Sequence, residues 1–431
     1  MSENTREIVL DALLEVEKNH VFFNQLIKSV LDKYDYLDSQ DKRFIKRLAE
    51  GCIERQIELD YYLNQYSSVP VRKMKPLIRC VLRMGVYQIL YMDKIPDAAA
   101  CNESVKLAVK RKFVNLKGFV NGVLRKIARD KGKMPVPEGE LEFLSVKYSM
   151  PEWIVGMWLE DYGREDTQRI LEALADIHPI SIRFRKSLST KQREEYLEQW
   201  RKQGVHATQS EEITYVYMLE AVDGVSSLAG FEEGVFTVQD VSSVLCVEAA
   251  SLKSTDKCMD ICAAPGGKTM LAAEMAAEVL ARDVSEHKVE LIIQNLERMQ
   301  LADMVVAEVW DATVEDETKH GQMDVVLMDV PCSGLGVMGK KRDIKYHVTP
   351  ESLESLVQLQ KQIVDSSWQY VKEGGVLMYS TCTIHKKENQ EMAKWICENY
   401  PFELEEERQI LPGFVKADGF YYAKLRRIAR Q

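Results

Sequence analysis

The chain of 431 residues contains no run near the ~18 consecutive apolar residues that a membrane-crossing helix needs. Its first twenty residues, MSENTREIVLDALLEVEKNH, carry acids and no continuous apolar stretch, so no secretory signal is expected. A cytoplasmic location without membrane association is the resulting expectation. Nine cysteines, an odd number without regular spacing, do not make a disulfide framework and point to reduced thiols. Cys258 and Cys262 have no second pair to complete a zinc set, and no metal is expected. Internal repeats and low-complexity tracts are also missing.

The net charge of −10 argues at first against a nucleic-acid partner, but the charge is unevenly spread. Residues 1–140 carry +6 and the remainder −16. Within Lys106–Lys133 there are ten basic residues and one acid, Asp130. A phosphate backbone responds to such a local face, not to the whole-chain charge. The alternative is a solvated lysine-rich helix face.

The first ~130 residues show helical periodicity and no strand alternation. From Arg43 to Leu63, Ile45, Leu48, Ala49, Cys52, Ile53 and Ile57 form one apolar stripe, which predicts one helix. Leu77–Tyr91 and Asn102–Val114 read likewise, punctuated by Pro70, Pro76 and Pro96. Lys131–Glu140, with two prolines and two glycines, reads as a linker. Residues 141–250 read as a small α+β module, with strand-like Ile180–Phe184 and Ile213–Met218 around a charged helix, Thr190–Gln203. From residue 251 apolar strands alternate with helices, which predicts a doubly wound parallel sheet. The expected fold is α/β: helical domain 1–130, linker 131–140, small module 141–250 and a Rossmann-like domain 251–431.

Chemistry-bearing residues gather at the predicted strand ends. Met259–Thr269, MDICAAPGGKT, is a short strand, a Pro-Gly-Gly turn and a helix start, where a ligand can approach the backbone closely. A P-loop would need glycine where Cys262 stands, which argues against an NTP-dependent RNA-remodelling enzyme. Asp283 ends the second strand, where an acid commonly binds ribose hydroxyls. Asp311 follows the third strand and either accepts from an adenine amino group or closes a turn. Acids at successive strand ends suit one shared cofactor, and S-adenosylmethionine fits better than NAD because the dinucleotide glycine spacing is absent.

The fourth strand ends in Asp329-Val330-Pro331-Cys332, and the fifth in Met378–Thr383, which contains Cys382. A single cysteine at a strand end is usually inert and buried. Two at the ends of adjacent strands would share one cleft and point to covalent chemistry. Carbon 5 of a pyrimidine is a poor nucleophile, and thiolate addition at carbon 6 makes it an enamine carbon able to attack an electrophilic methyl. Asp329, when protonated, can hold the base through its ring nitrogen. The carbon 5 proton must then be removed before the enzyme is released, and Cys332 can assist there.

Together DICAAPGGKT, MDVPCSG, the YSTCT strand end, Glu388-Asn389 and DGFYYAKL (Asp418–Leu425) resemble the RNA cytosine-5 methyltransferases. Leu82–Pro96, Asn102-Glu103 and Gly118–Arg129 resemble the NusB-like RNA-binding helical domain. The two together are similar to the bacterial 16S ribosomal RNA cytosine-5 methyltransferases of the Sun/Fmu (RsmB) type. The resemblance implies Cys382 as nucleophile and Cys332 as promoter of product release. It also implies a S-adenosylmethionine site of Cys262, Ala263, Ala264, Pro265, Gly266, Gly267, Lys268, Asp283, Asp311 and Asp329, with Asp329 facing the base too. Departures include Val330 where alanine is common and Arg183-Phe184-Arg185 where the family has Arg-Val-Asn.

The expected partner is 16S ribosomal RNA, naked or in an early 30S assembly intermediate, with the chain acting as a monomer. A transfer-RNA cytosine-5 methyltransferase is the near alternative. A non-catalytic RNA-binding or antitermination factor is the distant one, and retention of both thiols and the strand-end aspartates argues against it.

Overall fold

A computed structural model describes residues 5–176, 179–222 and 224–429. Within it the chain divides into two compact units. One runs to Ala175 and takes in Lys341–His347; the other comprises Asp176–Lys340 and Val348 onward.

The first unit is helical. Pro76–Tyr91 is its central helix, with eleven buried residues, because its sequence is apolar on nearly every face. Helices Thr5–Asn19, Ser39–Glu54, Asp97–Lys110 and Lys117–Asp130 each turn an apolar stripe onto the same core. The stripe from Arg43 to Leu63, expected as one helix, is divided. Asp38 caps Ser39–Glu54 by accepting from the Asp41 N–H at 2.8 Å, the backbone leaves helical geometry at Arg55 (φ −101°, ψ 19°), and Gln56–Tyr66 follows. The apolar phase continues across the break, so periodicity alone does not show it. Arg83 is buried in this unit and meets Asp60 through two hydrogen bonds of 2.7 and 2.6 Å, with Glu17 beside it. Planar guanidinium–carboxylate pairing of this kind is what makes a buried arginine tolerable.

Helices Glu140–Tyr148 and Glu152–Ala175 belong to the same unit, the second bending at Gly163 (φ 74°). Lys341–His347 joins it from far along the chain. The Asp343 carboxylate accepts the Phe23 N–H at 2.5 Å, capping helix Phe23–Lys33, whose own N-cap residue Phe22 supplies no side-chain bond. His347 packs on Phe22 with ring centroids 4.5 Å apart.

The second unit holds two sheets. Strands β1 (Ile180–Phe184), β2 (His206–Gln209), β3 (Val216–Glu220) and β4 (Phe236–Val238) form an antiparallel sheet in the order β2-β3-β1-β4. Helix Thr190–Lys202 starts with a capping box at Ser189 and Gln192 and buries Leu197 and Trp200; Trp200 stacks on Phe184 at 5.4 Å. The sheet and helix have the α+β character expected of residues 141–250, but the helices Glu140–Tyr148 and Glu152–Ala175 at the start of that span belong to the first unit.

Strands β5 (Lys257–Asp260), β6 (Glu278–Asp283), β7 (Val305–Val309), β8 (Met323–Asp329), β9 (Val371–Thr381), β10 (Phe402–Ile410) and β11 (Phe420–Arg427) build the large sheet, ordered β10-β11-β9-β8-β5-β6-β7. Strands β5 to β9 are mutually parallel, and β11 and β10 add an antiparallel edge. The chain moves outward from β5 through β6 to β7, then crosses back to β8 on the other side of β5. The topological switch point therefore lies between β5 and β8, and a ligand cleft belongs outside the carboxyl ends of those strands.

Candidate active site

The β5 strand delivers Asp260 into the glycine turn. Gly266 has φ +101°, a left-handed conformation that other residues adopt only with strain, and its N–H bonds to the Ala263 carbonyl at 2.7 Å. Lys268 is 8% exposed, yet its ammonium does not face solvent as a phosphate-binding lysine would. It donates to Asp329 Oδ2 at 2.5 Å and lies 5.0 Å over the Phe420 ring. The neighbouring Asp329 carboxylate raises the Lys268 pKa against the opposing effect of burial. The other Asp329 oxygen accepts from the Ser380 hydroxyl at 2.8 Å, as the pairing of Asp329 with Ser380 across β8 and β9 requires.

Asp283 closes β6 with its carboxylate turned back to the glycine turn. It accepts the Ala264 N–H at 2.9 Å, the Val284 N–H at 2.8 Å and the Lys288 ammonium at 2.8 Å. The structure thus brings Asp283, Cys262–Lys268 and Asp329 together. Asp311 closes a turn through Oδ1, which accepts the Thr313 N–H (2.9 Å) and hydroxyl (2.7 Å). It remains near, because the Trp310 N–H binds the Asp283 carbonyl at 2.9 Å. Arg282, beside Asp283, faces away and joins Glu308 and Asp316.

Asp260 was missed in the sequence, although the strand-end logic applied to Asp283 selects it equally. It is 1% exposed, and burial lifts its pKa to about 7, against the Thr269 hydroxyl that donates to Oδ2 at 2.7 Å. Among the described residues, Asp260 Oδ1 has no hydrogen-bond partner. Burial, then Asp260, Asp283 and Asp329, pushes the Cys262 thiol well up, so it is a poor thiolate.

The two strand-end thiols meet. Cys332 Sγ and Cys382 Sγ are 3.3 Å apart, each partly exposed. Close backbone contact holds them. The Gly336 N–H donates to the Cys382 carbonyl at 3.1 Å, and the Gly419 N–H to the Gly336 carbonyl at 2.9 Å. A Cβ at Gly336 would stand 2.0 Å from the Gly419 carbonyl oxygen, so only glycine fits. The Cys332 pKa is raised well above the usual thiol value, first by its hydrogen bond to Cys382 and then by burial. Across this contact either thiol can donate to the other.

With this geometry in view, the comparisons are specific. A family model for "16S rRNA methyltransferase RsmB/F" matches residues 248–426, the NusB family matches 3–129, and the ferredoxin-like domain of RsmF/B-like methyltransferases matches 150–223. The probable ribosomal RNA small subunit methyltransferase B of Bacillus subtilis (strain 168) is 33% identical, covering 98% of this chain and 99% of its own. The chain belongs to the ribosomal RNA small subunit methyltransferase B family. A second member of the methyltransferase B family, from Cronobacter sakazakii, is 31% identical with the same coverage. The fold agrees with the crystal structure of PH0851 (TM-score 0.81, 24% identity, 99% of each chain). It also agrees, over 65% of this chain and 99% of the other, with NSun6 from Pyrococcus horikoshii determined with SFG (TM-score 0.55, 20% identity).

Proposed function

We propose that the protein methylates carbon 5 of a cytosine in 16S ribosomal RNA, using S-adenosylmethionine and a covalent cysteine–cytosine intermediate. The observation that carries this reading is the 3.3 Å approach of Cys332 and Cys382 at the ends of neighbouring strands β8 and β9. Membership of the methyltransferase B family supports the ribosomal substrate. A structure of similar fold carries SFG, an analogue of the cofactor.

The residues fit that cofactor. The glycine turn presents backbone without side chains, Asp283 stands beside Ala264, and the unpartnered Asp260 oxygen is an acceptor suited to a cationic group. Cys262–Lys268, Asp283 and Asp329 would hold it, and Asp311 keeps Oδ2 outside its own turn for the same role. S-adenosylmethionine, when bound, supplies a methyl group on a sulfonium. Lys268, fixed between Asp329 and Phe420, sets the position of Asp329, which would face the base and hold its ring nitrogen through a proton shared between the two.

The family resemblance assigns Cys382 as the nucleophile, with the Cys332 thiol 3.3 Å away. The Cys382 thiolate adds to carbon 6, and carbon 5 becomes nucleophilic. To act as a base, Cys332 must first give up its own proton to water. Cys332 can then take the carbon 5 proton; the C5–H pair forms the ring double bond, and the C6–S pair returns to Cys382 as thiolate. The target cytosine must be unstacked to reach these sulfurs.

On the helical unit, Lys117, Arg125, Lys126 and Arg129 are exposed on helix Lys117–Asp130, with open space beside Gly118 and Gly122. This face would grip the RNA backbone. The test is nucleoside mass spectrometry of unmodified 16S RNA incubated with S-adenosylmethionine and either wild type or Cys382→Ala. 5-Methylcytosine from the wild type alone supports the reading; equal product from both sinks the assigned nucleophile. 5-Methylcytosine in transfer RNA instead favours the sibling substrate.

A further inference from the structure

After Cys382 the chain makes a single turn, Lys386–Glu388, and returns Glu388 to the interior. Glu388 is fully buried, at 0% exposure. Its carboxylate accepts on both oxygens. Oε2 takes the Ser333 N–H (2.9 Å) and the Gln360 side-chain amide (2.9 Å). Oε1 takes the Ser333 hydroxyl (2.5 Å), with His385 Nδ1 at 3.2 Å.

Ser333 follows Cys332 directly. Its hydroxyl also lies 2.7 Å from Thr383 Oγ1, and Thr383 follows Cys382 directly. The two thiol-bearing residues are therefore joined through their neighbours, and Glu388 anchors the joint. A buried carboxylate costs stability unless every oxygen is satisfied, and an apolar side chain would fill the space more cheaply. Its four contacts serve geometry: two of them fix one residue, Ser333, by backbone and side chain together.

We propose that Glu388 is a positioning residue for product release: acting through Ser333, it holds the Cys332 sulfur against Cys382 so that the carbon 5 proton can be removed while the base is still bonded to Cys382. The inference rests on the two-thiol reading above. It assigns Glu388 to the second half of the reaction, because addition at carbon 6 needs Cys382 alone whereas elimination needs both sulfurs in register.

The test compares single-turnover methyl transfer with steady-state turnover on 16S RNA, with denaturing gels to detect a protein–RNA adduct. Glu388→Gln keeps the size but places an amide N–H2 against donors. We expect its single-turnover rate within about threefold of wild type, its kcat down about thirtyfold, and adduct accumulating. Ser333→Ala removes only the hydroxyl link and should shift kcat the same way, by about fivefold. Loss of both phases together in both variants, or unchanged kcat in both, overturns the proposal, because a merely structural role does not split the phases. Cys332→Ala is run alongside. If it traps adduct and the Glu388 and Ser333 variants do not, the positioning role alone fails. If Cys332→Ala turns over normally without adduct, the two-thiol reading fails and this inference with it.

Discussion

The two units bury charge in opposite ways. In the helical unit Arg83 sits deep in the core, matched by Asp60 and Glu17. Nothing there suggests a reacting group; the pair closes a packing problem. In the sheet unit, besides the structural pairs Arg183–Glu274 and Arg282–Asp316, the buried groups Asp260, Lys268, Asp283 and Glu388 collect where β5, β6, β8 and β9 end or just beyond. Several are satisfied by residues of the adjoining loops, so each fixes a loop as well as a charge. The same kind of buried pair thus packs a core in one unit and, on the function proposed above, aligns a reaction in the other.

The sharpest test of that contrast is Cys382→Ala. Methyl transfer should fall by at least about a thousandfold while the melting temperature changes little, since the thiol is only partly buried and packs at the margin of a core cluster. A large loss of stability would move Cys382 to the structural side. Cys332→Ala should cost about a hundredfold in turnover and leave an adduct that survives denaturing gels. In the helical unit the expectation inverts. Arg83→Leu strands Asp60, while Glu17 keeps Arg79, and should cost roughly 3–5 kcal/mol of stability by denaturant titration. Methyl transfer per folded molecule should be preserved at low temperature, and a specific catalytic defect there would break the comparison.

A gentler test addresses the surface of the helical unit. Replacing Lys117, Arg125, Lys126 and Arg129 together by Gln removes charge without touching the buried face, which is Val120, Val123, Leu124 and Ile127. RNA affinity should fall roughly tenfold or more at moderate salt, and the slope of log K against log salt should flatten by about 3 units. An unchanged slope makes the basic segment a solvated face. Truncation after residue 130 is the poorer experiment, because helices 140–148 and 152–175 and the returning Lys341–His347 belong to the same compact unit.

Much of the catalytic sheet was readable from strand–helix alternation, since parallel strands buried on both faces are apolar runs. Both thiols were readable as strand-end residues, but their 3.3 Å separation depends on β8 lying beside β9, which no local pattern encodes. Asp311 was left between two readings because position cannot reveal that Thr313, two residues on, captures its carboxylate. Glu388 was visible only as part of a motif; its burial comes from Ser333 and Gln360, 55 and 28 residues away. The break at Arg55 hid within a continuous apolar stripe, and the capping of Phe23 by Asp343 spans 320 residues.

Lys345 is the exception that sharpens the comparison. It lies in the helical unit, 5% exposed, donating to the Glu54 carbonyl at 2.8 Å, and among the described residues no carboxylate pairs with it. Burial, reinforced by Arg342 and Arg55, lowers its pKa from 10.5 to about 7. The unfolded chain therefore holds that proton more tightly than the folded one between pH 7 and 10.5. The penalty is full at pH 7 and below, and it fades as pH rises through that window. Lys345→Met keeps the length of the side chain and abolishes the titration. It should raise stability by about 2 kcal/mol at pH 7, a few degrees in melting temperature, after the lost bond to Glu54 is allowed for. The gain should shrink steadily toward pH 10. A gain independent of pH would mean that packing, not charge, is relieved. A loss at every pH would mean that the bond to Glu54 outweighs the cost of the buried charge, so that this lysine, like the paired charges around Arg83, serves stability.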